Sequence, residues 1–376
     1  MHTLLTVNLD EIHNIIWHTT TLSCGAKFTY TNKYKAICLE KEKNKIEGVD
    51  QRIWVNGRKF MNIYEYPRIK PEYNSVKGLT KNPASRAYYK LWEMLHDFNI
   101  NCNGDSLSLA ESPGGFIQAI DDYRLIKRIK NCMCYTISLT SESEIYDIPR
   151  FHKNIIRNKN VEIFNFLEGN GDLLQLSTFL NIQKKLKNSK IILVTADGGI
   201  NDHGEFNNKE LNHINLIFCE FINAVFVLEN GGTFIVKIFD IFTDAMIHLI
   251  RLITYLFGDT KITKPLTSRS TNSEKYVVCS NFKKNKLTIN LRNNLVKLMW
   301  YIHQEKKIIT SLFDIAPGEF LNKIINYNTV TVKNQIINIE KILEYIKSDK
   351  KKYNDFSRVK DTLVRNWLVK YKLIQK

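Results

Sequence analysis

No two cysteines stand in a C-x-x-C spacing, and the seven present (Cys24, Cys38, Cys102, Cys132, Cys134, Cys219 and Cys279) form an odd and scattered set. Free, reduced thiols are therefore expected, and a zinc site built on paired thiolates is not. Long apolar runs are missing as well: nothing approaches the ~18 residues that a membrane-spanning helix requires. The opening MHTLLTVNLDEIHNIIWH lacks a basic start followed by a clean apolar block, so a secretory signal is not expected. The expectation is an intracellular protein with no membrane partner, the cytoplasm favoured over the nucleus. The fingerprints G-x-x-x-x-G-K-S/T and G-x-G-x-x-G are also absent, which denies a nucleoside triphosphate or a dinucleotide its usual cradle. Acid is scarce, with 38 Asp and Glu against 54 Lys and Arg and a formal net charge of +16.

Most of that imbalance lies late in the chain. Residues 281–376 hold 20 Lys and Arg against eight Asp and Glu. A basic excess concentrated in one region favours a polyanionic partner, because neutralising phosphates releases counterions. The 44% hydrophobic and 24% charged composition is ordinary for a globular protein.

Three regions differ in pattern. Residues 1–80 are mixed and poorly periodic, with Pro67 and Pro71 opposing one long helix. Residues 81–282 alternate short β-branched runs with amphipathic stretches, the signature of an α/β domain. The expected strands are SLSLAE (106–111), CMCYTISL (132–139), VEIFNF (161–166), KIILVTA (190–196), GTFIVKIF (232–239) and KYVVCS (275–280). Between the fourth and fifth, Leu211, Ile214, Ile217, Phe218, Phe221, Ile222 and Val225 recur at helical spacing until Asn230-Gly231-Gly232. A doubly wound, mostly parallel sheet with an N-terminal extension is predicted. Residues 283–376 form its lysine-rich helical appendage.

The first of these strands runs into Glu111-Ser112-Pro113-Gly114-Gly115-Phe116 and then a helix. In open parallel sheets ligands bind at the carboxyl ends of strands, and paired glycines let backbone approach a bulky group at a helix start. Glu168-Gly169-Asn170-Gly171-Asp172-Leu173 follows the third strand, where a carboxylate and backbone could accept from an adenine amino group. Asp197 ends the fourth. At the end of the second strand, where an acidic residue would grip ribose hydroxyls, stands Ser138.

Together Ser85-Arg86-Ala87-Tyr88-Tyr89-Lys90-Leu91, ESPGGF, Thr195-Ala196-Asp197-Gly198-Gly199, GGTFIVKIFD and KPLTSRSTNSEKYVVC resemble the FtsJ-like (RrmJ-like) 2'-O-methyltransferases. Within that family they look most like the cap-specific mRNA enzymes of eukaryotes and large DNA viruses. The resemblance covers residues 81–282 and implies a Rossmann-like methyltransferase sheet, S-adenosylmethionine as cofactor and no metal. It also implies a capped mRNA 5' end as partner, alongside other capping or transcription proteins; a viral member would work in the virion or viral factory. The family's Lys-Asp-Lys-Glu tetrad falls on Lys90, Asp197, Lys237 and Glu274. Cofactor contacts fall on Glu111, Ser112, Pro113, Gly114, Gly115, Phe116, Asp172, Leu173 and Asp197.

The chemistry accounts for the tetrad. A ribose 2'-hydroxyl is a poor nucleophile that must be aligned with the methyl and relieved of its proton. A lysine does this only when neutral, and a neighbouring like charge lowers its pKa from the usual ~10.4. By resemblance Lys237 is the acceptor, Lys90 the neighbouring charge, and Asp197 with Glu274 orients both. Taken singly, Lys90 reads as a solvated helix lysine, Asp197 as a turn former and Glu274 as a surface residue. Lys237, inside an apolar strand, is costly without a partner. Arg86, Arg269 and Asn272 are candidates for RNA contact; Trp54, Tyr64 and Tyr66 are equally candidates for cap stacking and for the core. Two other functions compete: a ribosomal or transfer RNA 2'-O-methyltransferase, and a non-catalytic RNA-binding subunit.

Overall fold

The computed structural model describes residues 2–4, 18–21, 29–139, 149–166, 170–200, 207–313, 318–348, 353 and 355–375. Its strands are β1 (His2–Leu4), β2 (His18–Thr21), β3 (Asp105–Leu109), β4 (Cys134–Ile137), β5 (Val161–Ile163), β6 (Ile191–Ala196), β7 (Leu228–Ile238), β8 (Phe257–Thr263), β9 (Lys275–Phe282) and β10 (Lys307–Ser311). Eight of them form one sheet in the order β1-β8-β9-β7-β6-β3-β4-β5, and β10 pairs with β2. The run β7-β6-β3-β4-β5 is parallel, while β9, β8 and β1 are added antiparallel. The chain leaves β3 toward β4 and β5 and returns to β6 on the other side. The switch point where α/β sheets open a crevice therefore lies between β3 and β6.

The helices are α1 (Lys33–Asn44), α2 (Gln51–Met61), α3 (Ala87–Asp97), α4 (Gly115–Ile126), α5 (Lys153–Ile156), α6 (Leu176–Lys185), α7 (Lys209–Val227), α8 (Asp244–Leu256), α9 (Ile289–Gln304), α10 (Glu319–Lys347) and α11 (Phe356–Lys370). Side chains alternate across a strand with period two, and β7 shows what this does. Phe234, Val236 and Ile238 enter a core shared with α6, α7, α8 and α9, whereas Ile235 enters the core of α3, α4 and α11. Parity then turns Lys237 to the α3 side. That single register decides where the lysine can act.

The six strands read from the sequence are present, with shifted ends. The helix α7 runs directly into β7 at Leu228 instead of stopping at Asn230-Gly231-Gly232. Leu228 pairs with Ile191 and Thr233 with Leu193, so residues 229–232 bulge out of the ladder. Gly231 takes a left-handed φ of 80° there, which explains its glycine. The strand β8, FGDTKIT, escaped prediction because its Gly, Asp and Lys break the apolar alternation. So did α1, which buries only Leu39 and Glu42.

The last helices share cores with the sheet. From α9, Leu291, Leu295, Leu298 and Met299 pack beneath α7, and from α11, Trp367 and Leu368 cover α3. That cover explains why α3 buries Tyr88, Tyr89, Leu91, Trp92, Glu93, Met94 and Leu95 at once, leaving no continuous exposed face. Trp367 donates its indole N–H to the buried carboxylate of Glu93 at 2.5 Å, and Trp92 donates to the Tyr371 carbonyl at 2.9 Å. A Trp367→Ala substitution is expected to cost about 3 to 5 kcal/mol of unfolding free energy, the usual range for emptying an aromatic core site. Equilibrium denaturation tests this; an unchanged midpoint would mean that α11 is not part of the cooperative core.

Candidate active site

The turn after β3 is built by close approach. Gly114 has φ 111°, and a Cβ there would fall 2.6 Å from Ile155 Cγ1, so only glycine fits. A Cβ on Gly115 would meet the Tyr88 nitrogen at 2.9 Å, which shows how tightly α4 starts against α3. Glu111 reaches forward and accepts from the Phe116 N–H at 2.6 Å, offsetting the unpaired amides of the helix start. Ser138, at the end of β4, accepts from the Ser112 N–H at 3.3 Å. Its hydroxyl thus holds the turn. The ring of Phe116 is buried against Tyr276.

Four side chains from four elements converge beside this turn. Lys237, near the end of β7, donates to the Asp197 carbonyl at 2.7 Å and lies 3.3 Å from its Oδ1. Asp197 directly follows β6, and its Oδ1 also accepts from Tyr276 OH at 2.8 Å. Tyr276 is the register partner of Lys237 across β7 and β9. Lys90 of α3 donates to Glu274 Oε2 at 2.8 Å, and the other oxygen, Oε1, accepts from Ser268 Oγ at 2.8 Å. All four members of the proposed tetrad are therefore in two adjoining ion pairs.

Electrostatics set the protonation states. Burial pulls the Lys237 ammonium down, but Asp197, Glu274 and Glu220 together outweigh it, and its pKa lies above the ordinary lysine value. Glu274 experiences the reverse: burial pushes it up, yet Lys90, Lys237 and Lys264 hold it far below the usual carboxylate range. Glu111 is pushed well up by burial and by Asp197. Glu220 lies under the Asp197-Gly198 turn, where its Oε1 accepts from the Gly198 N–H at 3.0 Å. Burial pushes it up to about 8.

A cavity of about 270 Å³ opens between these groups, lined by Ser85, Arg86, Ala87, Lys90, Ala110, Glu111, Ser112, Pro113 and Asp197. Its wall combines two carboxyl groups, Glu111 and Asp197, with two basic groups, Arg86 and Lys90, and the small residues Ser85, Ala87, Ala110 and Ser112. Such a mixed lining fits S-adenosylmethionine, which carries both a sulfonium and a carboxylate. Gly171, with φ 73°, packs on the Ser138 carbonyl and so brings the 170–173 turn to the end of β4. There Asp172 Oδ1 accepts from the Leu174 N–H at 2.9 Å and Leu173 is buried; neither lines the cavity. Glu168 and Gly169 lie outside the described residues. Among the described residues no cluster of His, Cys, Asp and Glu could hold a metal ion, and no helix is long and apolar enough to cross a membrane.

The three candidate RNA residues have partners within the chain. Arg86 donates to the Glu65 and Thr267 carbonyls at 2.6 and 2.7 Å, and Arg269 Nε donates to Glu65 Oε2 at 3.1 Å. Asn272 Oδ1 accepts from Lys264 at 2.8 Å. Trp54 is buried and Tyr64 lies against Trp367, whereas Tyr66 is exposed with the guanidiniums of Arg68 and Arg86 at 5.6 and 5.7 Å from its ring. Sequence reasoning missed Glu65, Glu220, Lys264 and Tyr276 as members of the site. Lys264 and Tyr276 stand inside a recognised segment, so a lysine just after a strand and a tyrosine opposite Lys237 were signals within reach.

A profile of the FtsJ-like methyltransferases matches residues 83–282. Cap-specific mRNA (nucleoside-2'-O-)-methyltransferase 1 of Danio rerio is 32% identical over 306 residues, which is 76% of this chain and 33% of that protein. The protein of the same name from Caenorhabditis elegans is 24% identical over 324 residues, 82% of this chain and 34% of its own. The chain thus spans about a third of the length of the curated relatives it matches. Among solved structures, a ribosomal RNA methyltransferase from Plasmodium falciparum superposes with a TM-score of 0.40 at 23% identity, covering 53% of this chain and 98% of that one.

Asp197 is the strongest of the carboxylates that raise the Lys237 pKa. Asp197→Asn is therefore expected to lower it, read directly by NMR titration of isotope-labelled lysine side chains. An unmoved titration would show that the pair is not electrostatically coupled.

Proposed function

Because the chain belongs to the FtsJ-like methyltransferase family, we propose that it transfers the methyl group of S-adenosylmethionine to a ribose 2'-hydroxyl of RNA, with the cap-proximal nucleotide of mRNA as its preferred acceptor. The observation that carries this reading is the meeting of the Lys237–Asp197 and Lys90–Glu274 pairs beside the Pro-Gly-Gly turn. Lys237, as free amine, takes the hydroxyl proton as the new C–O bond forms. Asp197 fixes its Nζ from one side. Gly199 lies on another side, where a Cβ would stand in ordinary contact with that nitrogen at 3.4 Å. Lys90, steadied by Glu274, donates to the ribose oxygen and holds it in line.

When bound, the cofactor supplies a methyl group on a cationic sulfur, whose charge disfavours the ammonium form of Lys237. Three carboxyl groups oppose that loss of the proton in the chain alone. Raising a lysine pKa leaves less amine at neutral pH, so the rate is expected to climb as pH rises through the neutral range.

Two features favour a capped substrate. Similarity to the cap-specific relatives extends over 306 residues, well beyond the segment 83–282. Around Arg86 on the cavity wall, Arg58 and Arg269 gather on the buried carboxylate of Glu65, and Glu274 also acts on Arg86 and Arg269. Arg58 Nε is buried with no hydrogen-bond partner among the described residues, and burial with the neighbouring arginines pulls its pKa down to about 10. Such a surplus of guanidinium suits a phosphate bridge, and the exposed Tyr66 beside it suits a stacked base.

Purified protein is expected to methylate capped RNA faster than uncapped RNA of the same sequence. Lys237→Ala should abolish transfer while cofactor binding, followed by calorimetry, persists. Equal rates on both RNAs would point to a general RNA 2'-O-methyltransferase; bound cofactor without any transfer would point to a non-catalytic RNA-binding subunit.

A further inference from the structure

Glu274 begins no helix and ends no long strand; it closes the loop 264–274 just before β9. Such a loop has to be held if its last residue is to meet Lys90. Outer ties include Glu93 of α3, which accepts from the Leu266 and Thr267 N–H groups at 2.7 and 3.2 Å, Arg86, which donates to the Thr267 carbonyl at 2.7 Å, Glu65, which accepts from Arg269 Nε at 3.1 Å, and Gln335 of α10, which donates to the Thr271 carbonyl at 2.9 Å. None of these touches Glu274.

One inner tie does. Lys264 follows β8 directly, and its ammonium reaches back into the loop. It donates to the Glu274 carbonyl at 2.7 Å and to the Asn272 carbonyl and Oδ1, both at 2.8 Å, and lies 3.3 Å from Ser268 Oγ. Ser268 Oγ in turn donates to Glu274 Oε1. Lys264 therefore grips the backbone of Glu274 directly and its carboxylate through one hydroxyl. We propose that Lys264 is a positioning residue for methyl transfer, the pin that sets Glu274 against Lys90; this rests on the transfer reading above.

The donor count agrees with this role. An ammonium has three N–H donors and a neutral amine two, and Lys264 faces four oxygens, three within 2.8 Å and Ser268 Oγ at 3.3 Å, so the two acceptors on Asn272 or the longer contact must share one N–H. Charged groups meet it from every side: Glu274 and Lys275 from β9 and its approach, Lys90 from α3 and Asp240 from the segment after β7. Burial, Lys275 and Lys90 pull its pKa down to about 7, against the pull of Glu274 and Asp240. Substrate phosphates nearby would favour the charged, gripping form.

Two variants test the proposal, Lys264→Met, which keeps length without donors, and Lys264→Gln, which keeps two. In Lys264→Met, kcat is expected to fall about 100-fold, the loss that accompanies a roughly 1 Å displacement of a reacting group. The cofactor dissociation constant and the RNA KM should hold, and Lys264→Gln should recover part of kcat. A second readout needs no turnover: carbon NMR of the Glu274 carboxyl should show its pKa rising in Lys264→Met, since both the lost ammonium and a loosened Lys90 contact push that way. Wild-type kcat together with an unmoved Glu274 titration would overturn the proposal. Equal loss of cofactor binding and thermal stability in both variants would also overturn it, leaving Lys264 a fold residue only. Should the wild-type protein methylate no RNA, the transfer reading falls, and the carboxyl titration still decides whether Lys264 positions Glu274.

Discussion

An ammonium buried near the end of a central strand is expensive unless carboxylates lie within hydrogen-bond reach. Lys237 occupies such a place, and period two along β7 points it away from the larger core and toward α3. Asp197 meets it because β6 is the parallel neighbour of β7 and ends one residue earlier in space, at Ala196 opposite Val236. Tyr276 meets the same carboxylate because β9 pairs antiparallel with β7 in register. The pair thus follows from sheet registry. Slipping β7 by one residue would send the lysine into the opposite core.

The same burial creates a tension in charge. Carboxylates that make the buried ammonium tolerable also make it a poorer base. Part of the answer lies in which carboxyl groups are ionised. Burial pushes Glu220 up to about 8, which reduces the negative charge it directs at Lys237 near neutrality, and pushes Glu111 well above the usual carboxylate range. Glu274, by contrast, is kept ionised by Lys90, Lys237 and Lys264 and divides its charge among them. Asp197 is the carboxylate that acts most strongly on Lys237. Four carboxyl groups and three lysines in reach of one another thus centre on two ion pairs, Lys237–Asp197 and Lys90–Glu274.

Much of this was legible in the residues. Short β-branched runs gave β3 to β7 and β9, because strands buried on both faces need little but apolar bulk. ESPGGF and ADGG marked the turns at the switch point, since only glycine tolerates the close approach at 114 and 115. Lys237 stood out as a charge in an apolar strand. Less visible was anything whose meaning depends on long-range neighbours. Glu93 reads as a polar position on a helix, yet it is buried because Trp367, 274 residues later, reaches it. Residues 1–80 looked aperiodic because α1 and α2 each pack through a few side chains onto α10, whose own length was only partly apparent. The adenine-side expectation at 168 and 169 falls outside the described residues, and Asp172 serves its own turn.

Glu65 shows why the RNA candidates could not be settled from pattern. Arg86 and Arg269 are separated by 183 positions but meet on this one carboxylate, which burial would protonate and the guanidiniums and Asn62 keep ionised. An arginine already held by a carboxylate loses little rotamer freedom when a phosphate arrives, and a planar fork can serve both. Glu65 fixes the geometry of Arg86 and Arg269, whose combined charge exceeds its own, and the proposed phosphate contact rests on that excess.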